Sequence, residues 1–114
     1  MKLNELITMD DLEGALKESS ERPVLLFKHS NACPISSRAL SELQAYLQDG
    51  DPHAHYYFIT VQTSRPVSNE IESRLSVQHE TPQAILVKDG RLVWDASHFS
   101  ITASALRHAV QEVS

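Results

Sequence analysis

Phe27-Lys28-His29-Ser30-Asn31-Ala32-Cys33-Pro34-Ile35-Ser36-Ser37-Arg38 decides how the rest of the chain is read. The apolar run Val24-Leu25-Leu26-Phe27 leads into it, as expected of a strand covered on both faces. A short polar loop then ends at Cys33, the single cysteine of the chain, and a helix-compatible segment follows at once. Pro34 suits a first helical turn, where the backbone N–H groups have no partner inside the helix. The spacing therefore predicts Cys33 at a helix N-terminus, where free N–H groups and the macrodipole favour a thiolate. One cysteine excludes an internal disulfide framework. It leaves a structural thiol, a reactive thiol or an intermolecular bridge.

The chain has 114 residues, enough for one domain with one core, and a single domain over 1–114 is expected. Its hydrophobic fraction of 41% and charged fraction of 22% are those of a soluble globular protein. No run approaches the ~18 apolar residues of a membrane span. A net charge of -5 argues against nucleic acid as the main partner, because phosphate neutralisation needs a basic face. The start Met1-Lys2-Leu3-Asn4-Glu5 carries an acid where a signal peptide would be basic and then apolar. A cytoplasmic location is the expectation. His53 and His55 form the close pair among six histidines, in a polar loop that reads as solvent-exposed. With no C-x-x-C or H-E-x-x-H, no metal site is expected.

Thr8 followed by Asp10 and Asp11 reads as a helix cap with acids in the first turn, and Met9, Leu12, Ala15 and Leu16 share a helical face. Ala39, Leu40, Leu43, Tyr46 and Leu47 continue the helix that Pro34 opens, and Gly50-Asp51-Pro52 stops it. Tyr56 to Val61 is aromatic and β-branched, hence a strand. Ser68 with Ile71, Leu75 and Val77 suggests a short helix capped by Ser68. Gln83 to Val87, the Asp89-Gly90 turn and Leu92-Val93-Trp94 read as a hairpin, and Ser100-Ile101-Thr102 as the opening of a last helix. This order fits an α/β fold with a central mixed sheet flanked by helices, since parallel connections need helical crossovers.

Two constellations carry the chemistry. Cys33-Pro34-Ile35-Ser36 is a C-x-x-S, which resembles the thioredoxin-fold C-x-x-C with its second thiol replaced by a hydroxyl. Thr81-Pro82 stands directly before the hairpin strand, where a proline cannot donate to the ladder and holds Thr81 extended. Together with Lys28-His29-Ser30, Gln83-Ala84, Trp94-Asp95-Ala96-Ser97-His98 and Ile101-Thr102, they make the chain resemble the monothiol bacilliredoxins, the YtxJ family of the bacillithiol system. That resemblance spans nearly the whole chain. It implies a thioredoxin-like fold, a cis Thr81–Pro82 bond against the active cysteine, and removal of bacillithiol from S-bacillithiolated cytoplasmic proteins. Bacillithiol would then be co-substrate, with no bound cofactor. The family usually places threonine before the cysteine, whereas Ala32 stands there in this chain and supplies no hydroxyl.

The catalytic expectation is Cys33 as nucleophile, with Ser36 in the resolving position able to hydrogen-bond a sulfur but not attack one. Asn31, Pro34, Thr81 and Pro82 are candidate substrate contacts. The resemblance adds Ser97 and His98, placed to meet a carboxylate of the bound thiol at the N-terminus of the last helix. Lys28, His29 and Arg38 are candidate charge partners that favour the thiolate. A thiolate gains little in attack, because nucleophilicity falls with basicity, but leaves readily in the second half of the exchange. Clients, bacillithiol, and a partner redoxin or separate NADPH-dependent disulfide reductase are the expected partners, with no nucleic acid and no membrane. An arsenate-reductase-like or Spx-like thiol protein remains open, although Arg38 misses the C-x5-R phosphate loop by one residue. A non-enzymatic thioredoxin-fold stress adaptor whose cysteine is S-thiolated remains open too.

Overall fold

The strand that leads into Cys33 is the centre of the molecule. The computed structural model describes residues 2–113, and among them the order is β1 (Leu3–Glu5), α1 (Met9–Glu18), β2 (Val24–His29), α2 (Pro34–Leu47), β3 (His55–Thr60), α3 (Arg65–Leu75), β4 (Gln83–Lys88), β5 (Arg91–Ser97) and α4 (Ala103–Val113). A 3-10 turn over His98–Ser100 precedes α4. The strands form one sheet in the order β1-β3-β2-β4-β5. β3 runs parallel to both β1 and β2, whereas β4 is antiparallel to β2 and β5.

Alternation along β2 divides the core. Leu25 and Phe27 face α2 and α4, packing with Leu43, Tyr46, Leu106 and Val110. Val24 and Leu26 face α1 and α3, packing with Leu12, Ile71, Ile85 and Val87. All four of these β2 residues are fully buried, so each leucine contributes about 2 kcal/mol relative to exposure. A strand apolar at every position is what two covered faces require.

The expected signals act locally as predicted at several points. Thr8 Oγ1 accepts the Asp11 N–H while the Asp11 carboxylate accepts the Ile7 and Thr8 N–H groups, closing a capping box. Those donors hold the Asp11 carboxyl below the usual carboxylate range. Asp89 and Gly90 both take positive φ, 56° and 72°, at the hairpin turn. Three boundaries differ. The edge strand β1 was not expected, and it joins the sheet through a three-residue register with Tyr56–Phe58. Ser68 is not a cap: α3 begins a turn earlier after Ser64, and Ser68 is a buried interior residue. Pro66 made the earlier start possible, because a first-turn proline loses no helical bond. Finally, β5 runs to Ser97 and the 3-10 turn intervenes, so the last helix starts at Ala103, where Thr102 Oγ1 accepts the Ala105 N–H.

Candidate active site

Cys33 is the N-cap of α2, with extended φ and ψ of -113° and 118°, and Pro34 occupies the first turn. Its carbonyl accepts the Ser36 and Ser37 N–H groups at 3.0 and 3.2 Å, which starts the helix. The thiol is partly exposed and makes no capping hydrogen bond. Pro34 itself is exposed beside it.

The loop that delivers Cys33 is pinned from two sides. Ser36 is fully buried, and its Oγ accepts the Ser30 N–H at 2.9 Å while lying 2.9 Å from His29 Nδ1. Gln62, just past the end of β3, accepts the Asn31 N–H and donates to Ser30 Oγ at 2.7 Å. Ser36 thus ties the first turn of α2 to the end of β2, and its hydroxyl is engaged there. Replacing Ser36 by alanine would leave the Ser30 N–H and His29 Nδ1 without this partner. The expected loss is about 1–2 kcal/mol of stability, read from the urea midpoint, with thiol transfer slowed only modestly.

The Thr81–Pro82 bond is cis. Its place beside the cysteine loop follows from the register. Lys28 pairs with Gln83 across β2 and β4, so one further step sets Pro82 alongside His29. Pro82 is buried and its carbonyl accepts the His98 N–H at 3.1 Å, bringing the end of β5 to the same end of the sheet. Cys33, Thr81, Pro82, Ser97 and His98 therefore come from three segments gathered at one sheet end.

The three candidate charge partners lie in different places. His29 faces α2, stacks on Phe27 and holds Ser36. Arg38 is exposed one turn into α2, with its guanidinium 5.6 Å from the ring centroid of exposed Phe99. Lys28, in contrast, projects to the other face of the sheet. It is fully buried there, with Nζ 3.0 Å from His79 Nδ1. The expectation of Lys28 as a charge at the sulfur is corrected, because successive residues of a strand point to opposite faces.

The proposed carboxylate subsite is corrected as well. The N-terminus of α4 already holds a carboxylate of the chain: Glu42 accepts the Ala103 N–H at 2.9 Å. His98 sits instead in the preceding turn with φ of 55° and pairs with Glu80 at 3.5 Å. The expected histidine loop is also partly structured, since His55 opens β3 and meets Glu18 at 2.7 Å.

Gln62, His79, Glu80 and Phe99 were not singled out in the sequence. Gln62 had a usable signal, because it follows the carboxyl end of a parallel strand beside β2, where such sheets build their sites. The others have none short of the fold.

The family model for the monothiol bacilliredoxin BrxC matches residues 4–106. The chain belongs to this family. A solved structure described as a proposed oxidoreductase with a thioredoxin fold is 32% identical, with a TM-score of 0.84 over 94% of this chain and 92% of that one. Thioredoxins from Fasciola hepatica and Schistosoma mansoni share the fold at 19% and 16% identity, with TM-scores of 0.78 and 0.79. The first match covers 97% of this chain and 99% of that chain, the second 100% of each. This bacilliredoxin is thus a thioredoxin-like thiol–disulfide oxidoreductase, and its single cysteine makes it a monothiol one. Among the described residues no helix is long and apolar enough to cross a membrane.

Proposed function

We propose that this bacilliredoxin removes bacillithiol from S-bacillithiolated client proteins in the cytoplasm through Cys33. The observation that carries the reading is a lone, partly exposed cysteine at the start of a fourteen-residue helix, with serine where a resolving thiol would stand. In the first step the Cys33 thiolate attacks the bacillithiol sulfur of the mixed disulfide. The client sulfur leaves as thiolate and Cys33 carries the bacillithiol, so one disulfide is exchanged for another with no net oxidation. The positive end of the α2 dipole favours the anionic sulfur at the start and again as leaving group. In the second step a bacillithiol thiolate attacks the carried sulfur, releasing the bacillithiol disulfide and free Cys33. A partner redoxin is the other route for that discharge. A separate NADPH-dependent reductase would return the small-molecule disulfide to thiol.

Asn31 and Pro34 flank the sulfur on its own loop and helix. Thr81 before cis Pro82 offers extended backbone to the incoming chain in the manner of an added strand. Ser97 and His98 stand at the same end of the sheet as Pro82, with Glu42 at the α4 N-terminus beyond them. His29 acts through Ser36 and Arg38 supplies positive charge on the exposed side.

The test is a bacillithiolated client incubated with the protein, with and without added bacillithiol. The reading expects one equivalent of tag to move without added thiol, and sustained turnover only with it. A glutathionylated client processed equally fast would remove the bacillithiol assignment. A single modification with no turnover under any thiol would favour the stress adaptor.

A further inference from the structure

Lys28 has no part in the exchange described above, yet it is fully buried. Its Nζ lies 3.0 Å from His79 Nδ1, and His79 Nε2 lies 3.2 Å from Thr81 Oγ1. The His79 backbone N–H donates to the Glu72 carboxylate of α3 at 2.6 Å, which anchors the loop that carries the ring to α3. Ser68, also on α3, stands at 3.5 Å from Nδ1. A lysine ammonium has three donors and no acceptor, so it imposes a lone pair on Nδ1. In a neutral imidazole the proton is then on Nε2, and that N–H must donate to Thr81 Oγ1. The Thr81 hydroxyl becomes an acceptor within the protein, and its own proton is left free to donate outward.

We propose that His79 is a positioning residue for the exchange, with Lys28 selecting its Nε2–H tautomer so that the Thr81 side chain is held in one hydrogen-bonding polarity at the mixed disulfide. This rests on the reading that Thr81 meets the client or the carried thiol. Gln83 supports the same loop independently. Its buried carboxamide accepts the Glu80 N–H at 3.2 Å and donates to the Gln78 carbonyl at 3.0 Å, fixing the backbone while His79 fixes the hydroxyl. Burial of the cation lowers the Lys28 pKa to about 8, which leaves it mainly an ammonium at neutral pH, and the same environment keeps His79 neutral.

Two substitutions separate the two ring nitrogens. His79→Gln places an amide N–H where Nε2 donates, whereas the shorter side chain of His79→Asn puts its amide only where Nδ1 faces Lys28. The expected result is a KM for the mixed disulfide near wild type in His79→Gln and raised about three- to tenfold in His79→Asn, with kcat little changed in both. Long-range nitrogen–proton NMR of the wild type at neutral pH should show His79 protonated at Nε2, and Lys28→Met should release that tautomer into a mixture. The Thr81 and Gln83 amide shifts should move in His79→Asn and not in His79→Gln. Protonation of wild-type His79 at Nδ1, or equal effects of the two His79 variants on both KM and amide shifts, would overturn the proposal. Failure of the wild type to accept bacillithiol would instead overturn the function proposed above, and the NMR arms would still decide the tautomer and the loop.

Discussion

Cys33→Ser should reduce transfer of bacillithiol from a client to the uncatalysed background, with no adduct on the variant. A serine hydroxyl at physiological pH is neither an effective nucleophile toward a disulfide nor able to hold the carried thiol through a disulfide. No second thiol exists in the chain to take over. The partly exposed N-cap position makes the substitution structurally mild, since serine is a good N-cap. The urea midpoint should therefore stay at or slightly above that of the wild type. Loss of transfer together with loss of folding would point to a structural thiol instead. The contrast with Ser36→Ala, which spends its effect on stability and little on transfer, separates the two polar positions of the C-x-x-S.

A second large effect concerns pH and the buried lysine. Burial lowers the Lys28 pKa from 10.5 to about 8, against a smaller opposing pull from Glu72. Between those values the unfolded chain holds a proton that the folded chain has released, so stability rises with pH across that window. The full interval corresponds to about 3 kcal/mol that the folded state gives up below pH ~8. Burial raises the phenols of Tyr56 and Tyr57 with opposite consequence. Above pH ~10 the unfolded tyrosines ionise while the folded ones do not, and stability falls. The maximum is therefore expected between about pH 9 and 10 rather than near neutrality. On the acid side His79, lowered by burial and by Lys28, costs stability as pH falls through ~6.5. Lys28→Met should flatten the alkaline rise and stabilise the protein at pH 7 by about 1–3 kcal/mol, less than the full interval because His79 loses a donor. Urea unfolding from pH 6 to 10.5 measures both curves. A stability that peaks near pH 7 in the wild type, or falls in Lys28→Met, would contradict this account of the buried cation.

What the sequence made legible were features whose cause is local. The all-apolar run Val24–Phe27, the Thr8 helix cap and the Asp89-Gly90 turn each form through residues only a few positions apart. The same holds for Cys33 at a helix start, since Pro34 and the following periodicity suffice. What escaped has a non-local cause. β1 has three residues and exists only because β3 offers it a parallel edge. Period-two alternation shows that Lys28 and His29 point opposite ways, but not which of them shares a face with α2. His79 is 51 residues from Lys28 and gains its meaning only when the loop between α3 and β4 meets β2. Glu42 and Ala103 are 61 residues apart, so the occupied N-terminus of α4 was equally invisible. The thioredoxin-like fold and the thiol–disulfide chemistry were reached through a family resemblance that Cys33, Ser36, Thr81 and Pro82 carry together with the segments around them. The polarity of the hydrogen bonds around them required the folded chain.

The central claim is that Cys33 alone receives and carries the small thiol. The most direct measurement is the intact mass of the protein after one equivalent of bacillithiolated client is added without free thiol, followed by peptide mapping. The account predicts a mass increase equal to one bacillithiol in disulfide linkage, located on Cys33, with the client recovered as free thiol in equal amount. A protein of unchanged mass beside a still-tagged client, or a persistent adduct between Cys33 and the client itself, would contradict it.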